Sequence, residues 1–146
     1  KPAARPAVSI TEPASPNSAR RGSKRRAGRA AGLRVAAEAF ADRAYEPDGS
    51  LRPRTLPGAV HSEPQIAAQQ ALHIVNDGYI IAYDGSRVAV QSDTLCVHGD
   101  NPNAAAVLAA VRAALKQAGV QVQPFGQPAI VISKAEQPPP VADDAA

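Results

Sequence analysis

The chain has 146 residues, a formal charge of +3 at pH 7 and 45% hydrophobic residues, which is the composition of one small basic domain. Its 32 Ala outnumber the 27 Val, Ile and Leu combined, so we expect a thin core. One cysteine, Cys96, excludes a disulfide framework, and no apolar run has the roughly 18 residues of a membrane helix, so we expect a cytoplasmic protein without membrane contact.

The positive charge is concentrated in the first 31 residues, which hold eight basic groups and one acid, whereas the other 115 residues sum to −4. This arm mixes four prolines with Ala, Ser and Arg and has too little apolar surface to fold. We predict a basic arm over residues 1–28, disordered up to about residue 23, with residues 24–31 suited to the last turns of a helix that stops at Gly32. Nucleic-acid binding by residues 20–29 is the minor alternative to a solvated arm.

Residues 33–57 follow this arm. Residues 33–36 are predicted to form a short strand. Prolines and the pair Asp48-Gly49 interrupt residues 38–57, which we therefore predict to lack regular structure. Long loops in compact domains are often functional.

The next stretch predicts a helix and a hairpin. Ser62 and Gln65 have the spacing of a capping box, and the helix should end at Gly78. Asp84-Gly85 between two apolar runs, residues 79–83 and 87–91, is typical of a two-residue hairpin turn.

A second helix is predicted to follow Asn101 as its cap, with Pro102 in its first position, and to end at Gly119. Further short strands are predicted at residues 94–98, 120–123 and 129–133. The alternation of helices and strands predicts an α/β protein with parallel strands, too few to close a barrel by themselves.

Two polar stretches stand out: residues 38–45, directly after the strand predicted at residues 33–36, and residues 93–100, which end at a strand-to-helix turn. In α/β folds, ligands bind beyond the carboxyl ends of strands. His98 is followed by Gly99, which lets another group approach the backbone, and by Asp100 near a helix N-terminus. This turn could bind an anion or pair an acid with a base. The equally weighted alternative is that Asp100 assists the helix cap and His98 hydrogen-bonds a nearby loop.

Charged loop residues add further candidates. Glu38, Asp42 and Arg43 could orient a substrate or hold their loop by ion pairs, the commoner outcome. Arg52 and Arg54 could contact a phosphate or carboxylate, although exposed loop arginines are ordinarily solvated.

The other reactive side chains are predicted to have structural roles, not catalytic ones. Cys96 lies in an apolar run and is predicted to be an inert thiol. His61 and His73 are predicted to be surface or packing residues. No metal is predicted, because the spacing of the possible ligands specifies none. Those ligands are Glu38, His61, His98 and Asp100.

Residues 38–45 and 93–100, together with residues 48–54 and 57–60, resemble the C-terminal part of the LamB/YcsF family, the prokaryotic 5-oxoprolinase A subunits. The match covers residues 29–124, leaving residues 125–146 as a variable tail. The family's N-terminal motifs are absent and the chain starts at Lys1 without any Met. We therefore expect a C-terminal portion of a longer product, or a chain with a shifted reading frame.

The resemblance implies a seven-stranded β/α barrel, related to the glycoside hydrolase and deacetylase barrels, of which this chain would be the C-terminal portion. It implies ATP-dependent hydrolysis of 5-oxo-L-proline to L-glutamate, with partner subunits B and C and ATP as the cofactor, an activity that we expect to be incomplete in this chain alone. At matching positions it implies catalytic roles for Glu38, Asp42, His98 and Asp100, in which His98 and Asp100 move protons. It implies contact with substrate or phosphate for a second group, Arg43, Arg54 and Gly99. The alternative is a non-catalytic remnant that keeps only the subunit-contact surface.

Overall fold

Residues 16–124 are described by a computed structural model, in which helices and short strands alternate. In chain order the elements are α1 Pro16–Ala30, β1 Glu38–Phe40, α2 Pro64–Leu72, a π-helix His73–Asp77, β2 Tyr79–Ile81, β3 Arg87–Ala89, β4 Thr94–Cys96 and α3 Ala104–Gln117. Within this part of the chain, no helix is both long enough and apolar enough to cross a membrane.

Strands β1 and β4 form a parallel pair, with Ala39 opposite Leu95 and Phe40 opposite Cys96. The connection between them passes through α2 and the antiparallel hairpin of β2 and β3. Parallel strands need such a crossover because a tight turn cannot join them. The predictions of a mixed α/β fold, of parallel strands and of a hairpin are therefore confirmed. The predicted two-residue turn is wrong, because the Ala82 N–H donates to the Ser86 carbonyl at 2.8 Å and three residues, Tyr83 to Gly85, form the turn.

The core consists of two clusters made largely of small side chains. In the first, α2 packs against α3 through Ala67 and Ala71 on one helix and Val107, Val111 and Leu115 on the other. Alanine at a helix contact allows the two axes to approach closely. The second cluster lies between β1 and the hairpin and contains Ala39, Tyr45, Ile74, Ile80 and Ala82.

The two faces of the parallel pair differ in burial. Ala39 is fully buried and Leu95 packs against both clusters. Phe40 and Cys96 stand on the opposite face, because side chains alternate along a strand, and both are partly exposed. That face leads to the end of the sheet where the candidate site lies.

The strand predicted at residues 33–36 is wrong, because the pairing with β4 begins further along the chain. The N–H groups of Asp93 and Thr94 donate to the Ala37 carbonyl, and the Ala37 N–H donates to Oδ2 of Asp93. Leu33 has no such partner strand and is 65% exposed. Residues 38–57 consequently contain a strand where no regular structure was predicted.

The strand predicted at residues 120–123 is also absent. The Val120 N–H donates to the Leu115 carbonyl, which completes the end of α3, and residues 121–124 are exposed. The strand predicted at 129–133 and the tail at 125–146 lie outside the described residues. Residues 16–124 form two two-stranded sheets, so the seven-stranded barrel stays a prediction for a longer protein.

The helix ends follow the sequence more closely than the helix starts. Gly32, Gly78 and Gly119 follow their helices with φ of 75°, 72° and 75°, the left-handed conformation that glycine adopts without strain. These three predicted stops are confirmed.

The predicted helix starts are displaced. Helix α2 begins at Pro64 after Glu63 and has no side-chain cap, so the capping box at Ser62 is wrong. Helix α3 begins at Ala104, not at Pro102. Asn101 instead makes a turn before the helix, in which its Oδ1 accepts a hydrogen bond from the Asn103 N–H.

Helix α1 begins at Pro16, inside the arm predicted to be disordered. No proline interrupts the stretch from Asn17 to Ala30, and its Arg, Lys and Ala residues have high helix propensity. Residues 1–15 lie outside the part of the chain that the structure describes.

Candidate active site

Asp42 and His98 lie at the carboxyl ends of the two parallel strands. Each follows its strand by two residues, so both continue the register that pairs Phe40 with Cys96. The His98 N–H donates to Oδ2 of Asp42 at 2.8 Å, and Nδ1 of the His98 ring lies 3.0 Å from Oδ1. The Asp42 side chain is fully buried. The contacts of the Asp42 carboxylate with the His98 backbone and ring therefore join the two polar stretches, residues 38–45 and 93–100.

This contact orients the His98 ring. A buried carboxylate facing Nδ1 favours the tautomer that carries its proton on Nδ1, which leaves Nε2 as the proton acceptor. Phe40 stacks on the ring at a centroid distance of 5.2 Å and an interplanar angle of 13°. The His98 ring is thus held by the hydrogen bond from its Nδ1 edge to Asp42 and by the Phe40 ring stacked on its face.

A cleft of about 200 Å³ opens beside this pair. Its lining comes from the two strand ends and the loops next to them: Asp42, Arg43, Arg54, Val60, Ser62, His98, Asp100, Asn101 and Pro102. Pockets for drug-sized ligands usually occupy about 300–1,000 Å³, so the cleft suits a smaller molecule.

The two arginines of the cleft are held differently. The Arg43 residue is 6% exposed, and its guanidinium donates to the carbonyls of Ala59 at 3.1 Å and Arg52 at 2.7 Å. Arg54 pairs with Asp100, and their side chains are 45% and 63% exposed. Arg43 therefore fixes the loop, whereas the Arg54 guanidinium is open to the cleft.

Asp100 is the anionic partner of Arg54. The hydrogen bond from Arg54 lowers the pKa of the Asp100 carboxyl below its usual range. A carboxyl is ionised near neutral pH even at its usual pKa, so the pairing strengthens this state and does not create it.

Arg52 takes a structural position in the same loop. Its guanidinium donates to Glu46 at 2.8 Å and to the Pro57 carbonyl at 2.9 Å, and it lies 3.4 Å from the centre of the Tyr83 ring. Of the two loop arginines considered from the sequence, Arg54 lines the cleft and Arg52 does not.

Gln70 is a residue that sequence reasoning missed. It is buried on α2, and its Nε2 donates to the carbonyls of Phe40, Ala41 and Arg43 at 2.8, 3.2 and 2.8 Å. These carbonyls belong to the backbone on both sides of Asp42. The helical pattern does contain a signal for it: Gln70 lies four residues after Ile66 and four before Ile74, on the apolar face of the predicted helix, whereas its exposed neighbour Gln69 does not.

His61 lies next to Gln70, and its contacts agree in part with the packing role predicted for it. Its N–H donates to the Asp42 carbonyl at 2.8 Å, and its side chain hydrogen-bonds Gln70. Burial lowers the pKa of the His61 ring, against the opposing effects of Gln70 and the Asp42 charge. His73, the other such histidine, stacks on Tyr79 at 4.9 Å.

The remaining candidates lie outside the cleft lining. Glu38 is exposed at the start of β1. Gly99 is exposed, and a Cβ placed on it would meet no atom within 4 Å. Burial, followed by the charges of Glu38 and Asp42, raises the pKa of the Cys96 thiol. Among the described residues, no three His, Cys, Asp or Glu side chains gather to hold a metal ion.

The fold and this site define an α/β protein with an Asp–His pair at the carboxyl ends of parallel strands. The chain belongs to the LamB/YcsF family, whose model matches residues 8–129. It is similar to the solved structure of the lactam utilization protein from Thermus thermophilus, with 52% identity and a TM-score of 0.62. That comparison covers 66% of this chain and 38% of the other.

Curated relatives are named as the A subunit of 5-oxoprolinase. A protein from Thermus thermophilus is 56% identical over 97 residues, covering 66% of this chain and 39% of the relative. The Chloroflexus aggregans protein is 56% identical, covering 66% and 38%, and the Pyrococcus furiosus protein is 48% identical, covering 65% and 37%. The chain thus spans less than two fifths of the length of these relatives.

Proposed function

We propose that this chain is the proton-transfer portion of a lactam hydrolase that opens 5-oxo-L-proline to L-glutamate. The relatives' name supports the substrate, and the Asp42–His98 pair is the single observation that carries the chemistry. The small volume of the cleft suits a five-membered lactam. In the longer protein, we propose that these elements form the C-terminal part of a seven-stranded β/α barrel.

In the proposed reaction, His98 acts as a general base. Nε2 accepts a proton from water as the water oxygen forms a bond to the lactam carbonyl carbon. The ring C–N bond then breaks, and the same proton passes from Nε2 to the leaving nitrogen. Asp42 stabilises the imidazolium that exists between the two transfers, as carboxylates do in hydrolytic triads.

ATP dependence is a further part of the proposal and concerns the assembled enzyme. A lactam is a poor electrophile, and transfer of the terminal phosphoryl group of ATP to its oxygen, with ADP as the leaving group, would make the carbonyl carbon easier for water to attack. Breaking the ring C–N bond would then leave an acyl phosphate, which a second water would hydrolyse to the carboxylate and phosphate. Nothing observed in the described cleft of about 200 Å³ identifies a nucleotide site. No role in holding ATP is therefore assigned to the residues that line it.

We also propose that the chain works with two partner proteins, the B and C subunits of the enzyme. The relatives' designation as an A subunit supports an enzyme built from several different chains.

The proposal is tested by incubating the chain with B and C subunits, 5-oxo-L-proline and ATP, and measuring glutamate. We expect the chain to release less glutamate than a full-length A subunit, because it spans only 39% of the length of such a relative. We expect this release to require ATP and to be abolished by His98→Gln. His73→Gln is the matched control, because His73 stacks on Tyr79 and does not line the cleft. Co-purification with B and C without turnover would favour the non-catalytic remnant, and equal turnover by His98→Gln would refute the role of His98.

A further inference from the structure

Arg54 holds a position in the cleft that the hydrolysis chemistry does not use. It shares the cleft with Asp42 and His98, and its partner is Asp100 from the turn after β4. Both charged groups of this ion pair face solvent. Exposed ion pairs contribute little to stability, so Arg54 can exchange Asp100 for another anion at small cost.

The guanidinium groups of the other arginines near the cleft already make hydrogen bonds within the protein. Arg43 is buried with its guanidinium on two backbone carbonyls. Arg52 is held by Glu46, by a backbone carbonyl and by the face of Tyr83. Arg54 is therefore the arginine of the cleft lining whose planar donor fork is available to a ligand.

We propose that Arg54 is the oxyanion-binding residue of this cleft, which leaves Asp100 and makes a two-point contact with a carboxylate or phosphate oxygen pair. Guanidinium groups match both anions through two parallel N–H···O bonds. For the identity of the ligand the inference rests on the proposed function, since 5-oxo-L-proline carries a carboxylate beside its lactam ring. Arg54 then holds the carboxylate while the lactam carbonyl faces His98.

The test uses the full chain labelled with ¹⁵N and follows the His98 and Asn101 amides during titration. Three probes separate the sources of the oxyanion. They are 5-oxo-L-proline, 2-pyrrolidinone, which has the same ring without a carboxylate, and inorganic phosphate. The variants are Arg54→Gln, Arg54→Lys and Asp100→Asn. Arg112→Gln is the matched control, because Arg112 is exposed on α3 and does not line the cleft.

We expect 5-oxo-L-proline to bind more tightly than 2-pyrrolidinone. Arg54→Gln should weaken 5-oxo-L-proline binding by about 10- to 100-fold, the range for loss of a charge-assisted hydrogen bond, and leave 2-pyrrolidinone unchanged. Arg54→Lys should recover part of the loss, Asp100→Asn should tighten binding by removing the competing carboxylate, and Arg112→Gln should change neither affinity. An unaltered amide spectrum in the variants confirms that they fold.

The outcomes separate this inference from the proposed function. Phosphate binding that depends on Arg54, with no binding of either lactam, supports the oxyanion site and refutes the lactam substrate. If Arg54→Gln weakens phosphate binding but leaves 5-oxo-L-proline binding unchanged, the oxyanion that Arg54 binds is phosphate and not the lactam carboxylate. Unchanged affinities in Arg54→Gln, or equal losses for both lactams, overturn the inference, and failure of all three probes to bind overturns both proposals.

Discussion

Nδ1 of His98 lies 3.0 Å from the buried Oδ1 of Asp42, and the His98 backbone N–H donates to the other carboxylate oxygen at 2.8 Å. One carboxylate thus fixes both the main chain and the ring of the residue proposed as the general base. We predict that Asp42→Asn leaves the fold in place and releases the ring tautomer. Because an amide can present either its oxygen or its NH₂ group to Nδ1, the preference for a proton on that atom is lost.

This prediction is checked in two ways. Ring ¹⁵N chemical shifts of His98 report the tautomer directly, and glutamate release by the assembled subunits should fall by about 100- to 10,000-fold. Asp77→Asn, an exposed carboxylate at the end of the π-helix, is the control and should change neither measurement. A normal tautomer in Asp42→Asn would show that the contact does not orient the ring.

Gln70 supports the backbone around Asp42, and its loss should destabilise the chain. Gln70→Leu leaves buried carbonyls of residues 40, 41 and 43 without their donor, which should lower the free energy of unfolding by about 2–4 kcal/mol. Gln69→Leu provides a control in the same helix, because Gln69 is exposed. Urea unfolding measures both, and equal effects would argue against a clamp by Gln70.

The sequence predicted features that depend on local chemistry. Three helix stops follow from glycine's access to the left-handed conformation, and the hairpin follows from Asp84-Gly85. The position of His98 at a strand-to-helix turn also follows from the rule for parallel strands, whereas residues 38–45 follow no strand at 33–36 and instead begin with β1. These signals act within a few residues, so one sequence contains them.

Features that depend on partners distant in the sequence could not be predicted from local sequence signals. Residues 33–36 have an apolar pattern but no neighbouring strand, whereas β1 is defined by pairing with β4 across 56 residues. Arg52 and Arg54 are equivalent as sequence, and only Glu46 and Tyr83 distinguish Arg52 in space. The role of Gln70 depends on three carbonyl acceptors that lie about 30 residues away in the sequence.

His61 should make the chain less stable in acid. Burial lowers the pKa of its ring from 6.5, so the unfolded chain binds a proton there before the folded chain does. The contribution of His61 to the free energy of unfolding is therefore constant above this range, falls as the pH drops below about 6.5, and levels off once the folded chain also binds the proton.

The measurement for His61 is urea unfolding at pH 7.5 and pH 5.5. We expect the wild-type chain to lose stability between these values and His61→Asn to lose less. Gln69→Ala, which removes no titrating group, should retain the wild-type difference. If His61→Asn keeps the full pH dependence, the loss in acid originates at other groups.

Cys96 provides a test of where Glu38 lies. Burial, together with the charges of Glu38 and Asp42, raises the pKa of the Cys96 thiol, so less thiolate is present at a given pH. Alkylation by iodoacetamide at pH 8 should be slower than that of N-acetylcysteine, and Glu38→Gln should accelerate it by about two- to fivefold, as expected from removing one nearby like charge.

Glu63→Gln is the matched control for this measurement, because Glu63 is exposed at the start of α2 and is not among the groups that raise the Cys96 pKa. Its alkylation rate should equal that of the wild-type chain. Mass spectrometry of quenched samples gives each rate from the fraction of modified chain. Glu38→Gln with a wild-type rate would mean that the Glu38 carboxylate does not act on the Cys96 thiol.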